Sequence, residues 1–265
     1  MRVPAIIENR SLRRESAERA LAQADSIARS GLRDQVAQRI LNEVFAQRLP
    51  SGSRLIVGHL AKRFDVSPTP IREALIELAG LGIVELLPNR GAVVRPFGEK
   101  ELRQISQVRR VLEAEACRTA CGNIEAGKLS DLRTELKKLH RMRRSTEWDR
   151  SARAADSRLH LLIADSCENP RLAYEVKRYL FLFRSMRNIS HVRDSWNDYR
   201  RSNDVPDHLR IIDALMKGNP DRAAEAMDHH IRSITKVLTD VVFADSNAKS
   251  RSMARPMADR RRSPQ

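Results

Sequence analysis

Four residues in the C-terminal half of this chain have the types and spacing to hold a metal ion. Asp156 and His160 stand four apart in DSRLH. On a helix that spacing puts a carboxylate and an imidazole on one face, as a bidentate clip requires. Leu159, Leu161, Leu162 and Ile163 surround the pair, so the face is expected to turn inward, where both groups need compensating partners. Asp-x-x-x-His alone is equally the pattern of a hydrogen-bonded pair on a surface. His208, in DHLRIIDAL, and His230, in AMDHHIRSI, add imidazoles on two further helical segments with apolar neighbours. One carboxylate and three imidazoles suit a first-row divalent cation and leave positions open for water or ligand. Zinc is the first expectation, with nickel and manganese as alternatives. His59, His140, His191 and His229 lack such a setting; His229 directly precedes His230 and should point about 100° away, to solvent.

The elements that must position these groups are helices. Between Pro96 and Phe243 the apolar spacing predicts six, over about 98–121, 126–145, 147–167, 169–192, 196–217 and 220–242. The first carries Leu102, Ile105, Val108, Leu112 and Ala116 at three- and four-residue steps, and Pro206 breaks the start of the fifth. Gly122, Gly127, Asn169-Pro170 and Gly218-Asn219-Pro220 mark boundaries. The result is an all-helical bundle without internal repeats.

Ahead of the bundle, LAKRFDVSPTPIREALIELAGL (residues 60–81) reads as two short helices joined by a tight turn. Leu60, Ala61 and Phe64 give the first an apolar face, Asp65 and Val66 turn the chain, and Ser67 can cap a second helix with Ile71, Ala74, Leu75, Leu78 and Leu81 inward. This outlines a helix-turn-helix, in which the second helix enters the DNA major groove. An ordinary helical hairpin has the same pattern. The residues after Leu81 separate the two: the runs IVELL and AVV flank the turn PNRG, a β-hairpin in the position of a wing. Arg90 at its tip is placed for a phosphate or the minor groove, and Gly91 lets the backbone turn tightly and approach closely.

Residues 32–96 resemble the winged-helix domain of the GntR family of bacterial transcription regulators, in LRDQVAQRILNEVFAQRL, PSGSRL, LAKRFDVSPTPIREAL and GIVELLPNRGAVV. Residues 98–243 resemble the FCD effector domain of the FadR-like branch of that family, in VRRVLEAEACRTA, DSRLHLLIADSCENPRL and DHLRIIDALMKGNPDRAAEAMDHHI. The resemblance implies a regulator, most often a repressor, that binds a double-stranded operator as a homodimer and responds to a ligand. It implies metal ligation by Asp156, His160, His208 and His230, with Leu159 replacing a common phenylalanine. Arg109 is similar to an arginine that faces the effector pocket in relatives, and Arg184 is a second candidate; either residue type also serves in surface salt bridges. Where many relatives carry a DNA-contacting arginine, this chain has Pro68. Base reading is therefore expected to rest on Arg72, with Ser67 and Thr69 positioning the backbone.

Composition agrees with this organisation. The expected fold class is mostly α, a winged helix-turn-helix over 31–96 followed by the bundle over 97–243, with a flexible arm at 1–30 and a basic disordered tail at 244–265. A formal charge of +15 favours a polyanionic partner, although the excess is spread over the arm, both domains and the tail and so does not locate the contact. No apolar run is long enough to span a bilayer and no signal peptide leads the chain, so a cytoplasmic protein is expected. Cys117, Cys121 and Cys167 form no framework and are read as buried free thiols. A divalent ion with neutral imidazoles and one aspartate leaves about +1, which favours a small carboxylate effector. Two rival readings are a metal-dependent hydrolase with an accessory nucleic-acid-binding domain, which lacks a motif-placed general base, and an architectural DNA-binding protein, which leaves the metal cluster unexplained.

Overall fold

The computed structural model describes residues 31–46, 48–143, 145–190 and 204–243, with backbone alone for 187–190 and 241–242. The expected arm and tail lie outside them, as does the part of the fifth predicted bundle helix before residue 204. The chain divides into two compact units, at Pro96 and Phe97.

In the first unit a helix over 31–45 (α1) buries Val36, Ala37, Ile40, Leu41 and Val44 along one stripe. Strand β1 (Arg54–Leu55) leads to α2 (Val57–Phe64) and α3 (Pro68–Gly80), then to β2 (Val84–Leu87) and β3 (Gly91–Val94). The strands form one antiparallel sheet in the order β1-β3-β2, with Leu55 opposite Ala92 and Leu87 opposite Gly91. The turn between α2 and α3 is made by Asp65 at φ 55°, whose N–H donates to the Ala61 carbonyl. Aspartate tolerates this left-handed conformation better than most residues. Leu60, Phe64, Ile71, Leu75 and Leu78 of the helices and Ile83, Val84, Ala92 and Val94 of the wing are all buried.

Ser67 occupies the N-cap of α3, but its side chain makes no capping bond. The next three residues offer few donors. A capping hydroxyl accepts from the second or third helical N–H, and Pro70 at the third position removes one of these two, leaving only that of Thr69. Pro68, at the first position, costs nothing there. The Ser67 hydroxyl stays exposed instead.

The second unit contains, among the described residues, six helices: α4 (Glu99–Ala120), α5 (Ala126–Arg141), α6 (Thr146–Ser166), α7 (Pro170–Ser190), α8 (Val205–Met216) and α9 (Pro220–Val242). Their starts follow local chemistry. Ser145 accepts from the Trp148 N–H, Asn169 from those of Arg171 and Leu172, and Asn219 from that of Arg222. Pro170, Pro206 and Pro220 all stand in first turns, where a missing N–H forfeits no helical bond. α4 packs along α9, α9 on α8, and α6 on α4, α5 and α7. Between them lies a core that includes Trp148, Leu136, Leu159, Ile163, Met227 and Ile231. The protein is mostly α, a winged helix-turn-helix followed by an all-helical bundle. Among the described residues no helix is long and apolar enough to cross a membrane.

Candidate metal centre and nucleic-acid interface

α6 contributes Asp156 and His160, α8 His208 and α9 His230, and all four are buried. One ligand atom from each lies within 4.8 Å of the others. The Asp156 Oδ1 is 3.4 Å from His208 Nε2 and 3.8 Å from His160 Nε2. The rings of His208 and His230 stand 4.4 Å apart between centroids, and His160 is 5.3 Å from His230. His160 Nε2 and both nitrogens of His230 are buried without a hydrogen-bond partner among the described residues. Buried polar atoms are rarely left this way, and a nitrogen-rich donor set with one carboxylate is what a divalent cation of the zinc type takes. The residues present therefore fit a metal.

Electrostatics point the same way. Burial, then the neighbouring His208 and His160, push the His230 imidazole well below its usual range despite the opposing Asp156 carboxylate, so it stays neutral and able to ligate.

The structure adds three carboxylates, Glu113, Asp204 and Asp207, beyond the four expected ligands. Glu113, on α4, contacts Nδ1 of His160 and also the Nε of Arg109, four residues before it on the same helix. Burial alone would raise the Glu113 carboxyl, but Arg109 and His160 outweigh it and hold the group at about 2. An ionised Glu113 accepts the Nδ1–H of His160 and so leaves Nε2 as the bare nitrogen on the Asp156 side. Asp204 and Asp207 lie at the start of α8, at 3.7 and 3.9 Å from His230 Nδ1. Burial raises the Asp207 carboxyl in spite of its partner Arg210. Two of these three had a local signal: Glu113 stands four residues after Arg109, and Asp204 stands four before His208, the spacing of Asp156 and His160.

Arg109 is fully buried, its guanidinium 4.5 Å above the Phe183 ring. Its Nε is used by Glu113, whereas both terminal nitrogens lack a hydrogen-bond partner among the described residues. Two donors aimed from one fork are the usual means of holding a carboxylate. Arg184 differs. It is exposed on α7, so the structure does not bring it to the cluster; one residue is about 100° of helix, and α7 turns Phe183 inward instead. His229 is exposed as expected. All three cysteines are free, but only Cys117 is buried, its thiol raised by desolvation.

In the first unit Ser67, Thr69 and Arg72 are exposed along the start of α3, and Arg90 is exposed at the wing tip. A groove of about 840 Å³ runs between α3 and the wing, lined by Arg72 and Arg90 and also by Arg54 of β1, with Ile56, Ile76 and Leu86 as apolar wall and no carboxylate. Gly91 has a reason within the fold. At φ 86° a Cβ there would stand 2.1 Å from the Leu55 carbonyl oxygen, so the close approach that demands glycine is to strand β1.

A winged helix joined in sequence to an all-helical bundle is the architecture of a class of DNA-binding transcriptional regulators. The profile of the bacterial regulatory proteins of the gntR family matches residues 32–94, and that of the FCD domain matches residues 104–233. The chain belongs to the GntR family of transcriptional regulators and carries an FCD domain. It is 28% identical, over 79% of its own length and 90% of the relative's, to a protein of Paenarthrobacter nicotinovorans described as "Probable D-xylose utilization operon transcriptional repressor". To the HTH-type transcriptional repressor RspR of Escherichia coli K12 it is 26% identical, covering 72% and 81%. The solved structure of E. coli McbR/YncC shares its fold with a TM-score of 0.60 at 20% identity, covering 78% of this chain and 96% of that one.

Proposed function

We propose that this regulator is a cytoplasmic homodimeric repressor whose hold on a pseudo-palindromic operator is modulated by a small carboxylate effector. The effector binds in the helical unit between the Arg109 guanidinium and a divalent ion, zinc first among the choices, held by Asp156, His160, His208 and His230. The observation that carries the reading is the convergence of these four buried side chains within 4.8 Å, beside a buried arginine with two unused N–H₂ groups. When bound, the ion supplies a fixed positive charge and open coordination positions for an anionic oxygen. Arg109 supplies the paired donors, Phe183 the apolar floor beneath them, and Glu113 holds both Arg109 and His160 in place. Asp204 and Asp207 offset part of the positive charge, so the anion is held chiefly by Arg109's donors and by the open coordination positions.

On DNA, Arg72 reads a guanine edge in the major groove while Ser67 and Thr69 hold phosphates. Arg90 at the wing tip contacts the backbone or the minor groove. An effector can alter operator binding only to the extent that it favours one arrangement of the dimer over the other. Hydrolysis has less behind it: the carboxylate nearest an imidazole, Glu113, is engaged by both Arg109 and His160.

Elemental analysis of purified protein tests the centre. The parent should carry about one divalent ion per chain, and His208→Ala and His230→Ala should lose it; unchanged metal content in both variants removes the assignment. Fluorescence-anisotropy titration of promoter DNA with a panel of organic acids tests the effector. Release or tightening should require both the metal and Arg109.

A further inference from the structure

We propose that the groove between α4 and α9 is a second anion site, built for a tetrahedral oxyanion and separate from the metal centre. The groove has a volume of about 300 Å³ and is lined by Arg103, Ser106, Arg110, Arg232, Thr235 and Lys236, among others, with no carboxylate in its wall. Four cationic side chains from two packed helices thus face one concavity. Their counter-charges are too few. Arg110 and Arg232 share the single carboxylate of Asp228, at 2.5 and 2.6 Å, and Arg103 is paired with Glu99 one turn back on its own helix. Lys236 makes no ion pair among the described residues. Like charges held this close repel, and an anion between them removes the cost.

The floor of the groove carries the second, independent observation. Ser106 is only 3% exposed, yet its hydroxyl has no hydrogen-bond partner among the described residues. A buried hydroxyl without a partner is costly, and native proteins fill such positions with a bonded water or ligand. Beside it the Thr235 hydroxyl donates to the Ile231 carbonyl and keeps its lone pairs for other donors. An oxyanion that accepts from Ser106, Lys236 and the arginine edges satisfies the hydroxyl and the excess charge together. Phosphate, free or carried by a metabolite, has the four oxygens to meet donors arriving from two helices. Arg109 and Glu113 lie further along α4 and His230 beside Ile231 on α9, so an anion here would tie together the two helices that flank the metal centre.

The experiment is a titration of the full-length, metal-loaded protein with inorganic phosphate at constant ionic strength, read by calorimetry and thermal unfolding. Glycerol phosphate and citrate are run as further arms. Phosphate should bind and raise the melting temperature. Lys236→Ala, at an exposed position, and Ser106→Ala should each weaken binding about tenfold. Without phosphate Ser106→Ala should be at least as stable as the parent, because it removes an unsatisfied hydroxyl; a merely structural Ser106 would lower stability instead. Tighter binding of glycerol phosphate than of phosphate assigns the anion to a phosphorylated metabolite, and equal binding to phosphate itself. The proposal is overturned if both variants keep the parent's phosphate affinity, if matched chloride reproduces the stabilisation, if citrate alone binds, or if Arg72→Ala in the other unit abolishes the response.

Discussion

Replacing Glu113 by glutamine separates two functions that one carboxylate performs. Its side chain is only 2% exposed and is engaged by Arg109 on one side and His160 on the other. Toward His160, glutamine still offers a carbonyl oxygen of similar reach but no charge, so the imidazole loses basicity and orientation. Such partners behind a metal ligand are worth about 10- to 100-fold in affinity, or about 1.4–2.7 kcal/mol. Toward Arg109, the substitution leaves a fully buried guanidinium without its counter-charge, which costs about 3–5 kcal/mol of stability. Zinc affinity by competition with a chromophoric chelator, and urea unfolding of the metal-free protein, measure the two losses separately. Adding Arg109→Met to Glu113→Gln removes the stranded cation. The double variant should recover most of the stability but none of the zinc affinity. Parent-like zinc affinity in Glu113→Gln would refute the orienting role, and a double variant no more stable than the single would refute the charge argument.

Three further outcomes rest on the same geometry. Glu113 is held at about 2 against an ordinary 4.5, so its contribution, on the order of 3 kcal/mol, is fully present above pH 4.5 and is lost as pH falls toward 2. Acid unfolding of the parent should therefore be steeper over that range than that of Glu113→Gln, and parallel curves would exclude the shift. Gly91→Ala puts a Cβ against the Leu55 carbonyl in a left-handed conformation, and should cost the winged-helix unit at least about 1–3 kcal/mol in thermal unfolding while leaving metal content unchanged. Trp148→Phe removes the 2.8 Å bond from the buried indole N–H to the Leu139 carbonyl and part of the core volume, an expected loss of about 1–3 kcal/mol by denaturant titration of the bundle.

Local patterns carried most of the architecture. The expected helix over 220–242 is α9 at those limits, and the expected helices near 98–121 and 147–167 are α4 and α6 to within a residue. Proline, asparagine and serine at their starts act through bonds only three or four residues long. Ser67 shows the limit of reading such signals singly: the residue type predicts a cap, but Pro70 removes one of the two N–H groups a cap could bind, and no capping bond forms. The loss of that one donor was readable from the sequence.

The sequence by itself determined the helices of both units and the shared face of Asp156 and His160, because a period of 3.6 residues fixes what shares a helical face whatever surrounds it. Packing decided the rest. Glu113 and His160 are 47 residues apart, and no periodicity relates them; they meet because α4 and α6 lie side by side. Which of Arg109 and Arg184 is buried depends on how α4 and α7 are rotated toward their neighbours, and that rotation is set by the whole core. The demand for glycine at position 91 likewise comes from Leu55, 36 residues earlier, through a strand pairing that only the folded sheet creates.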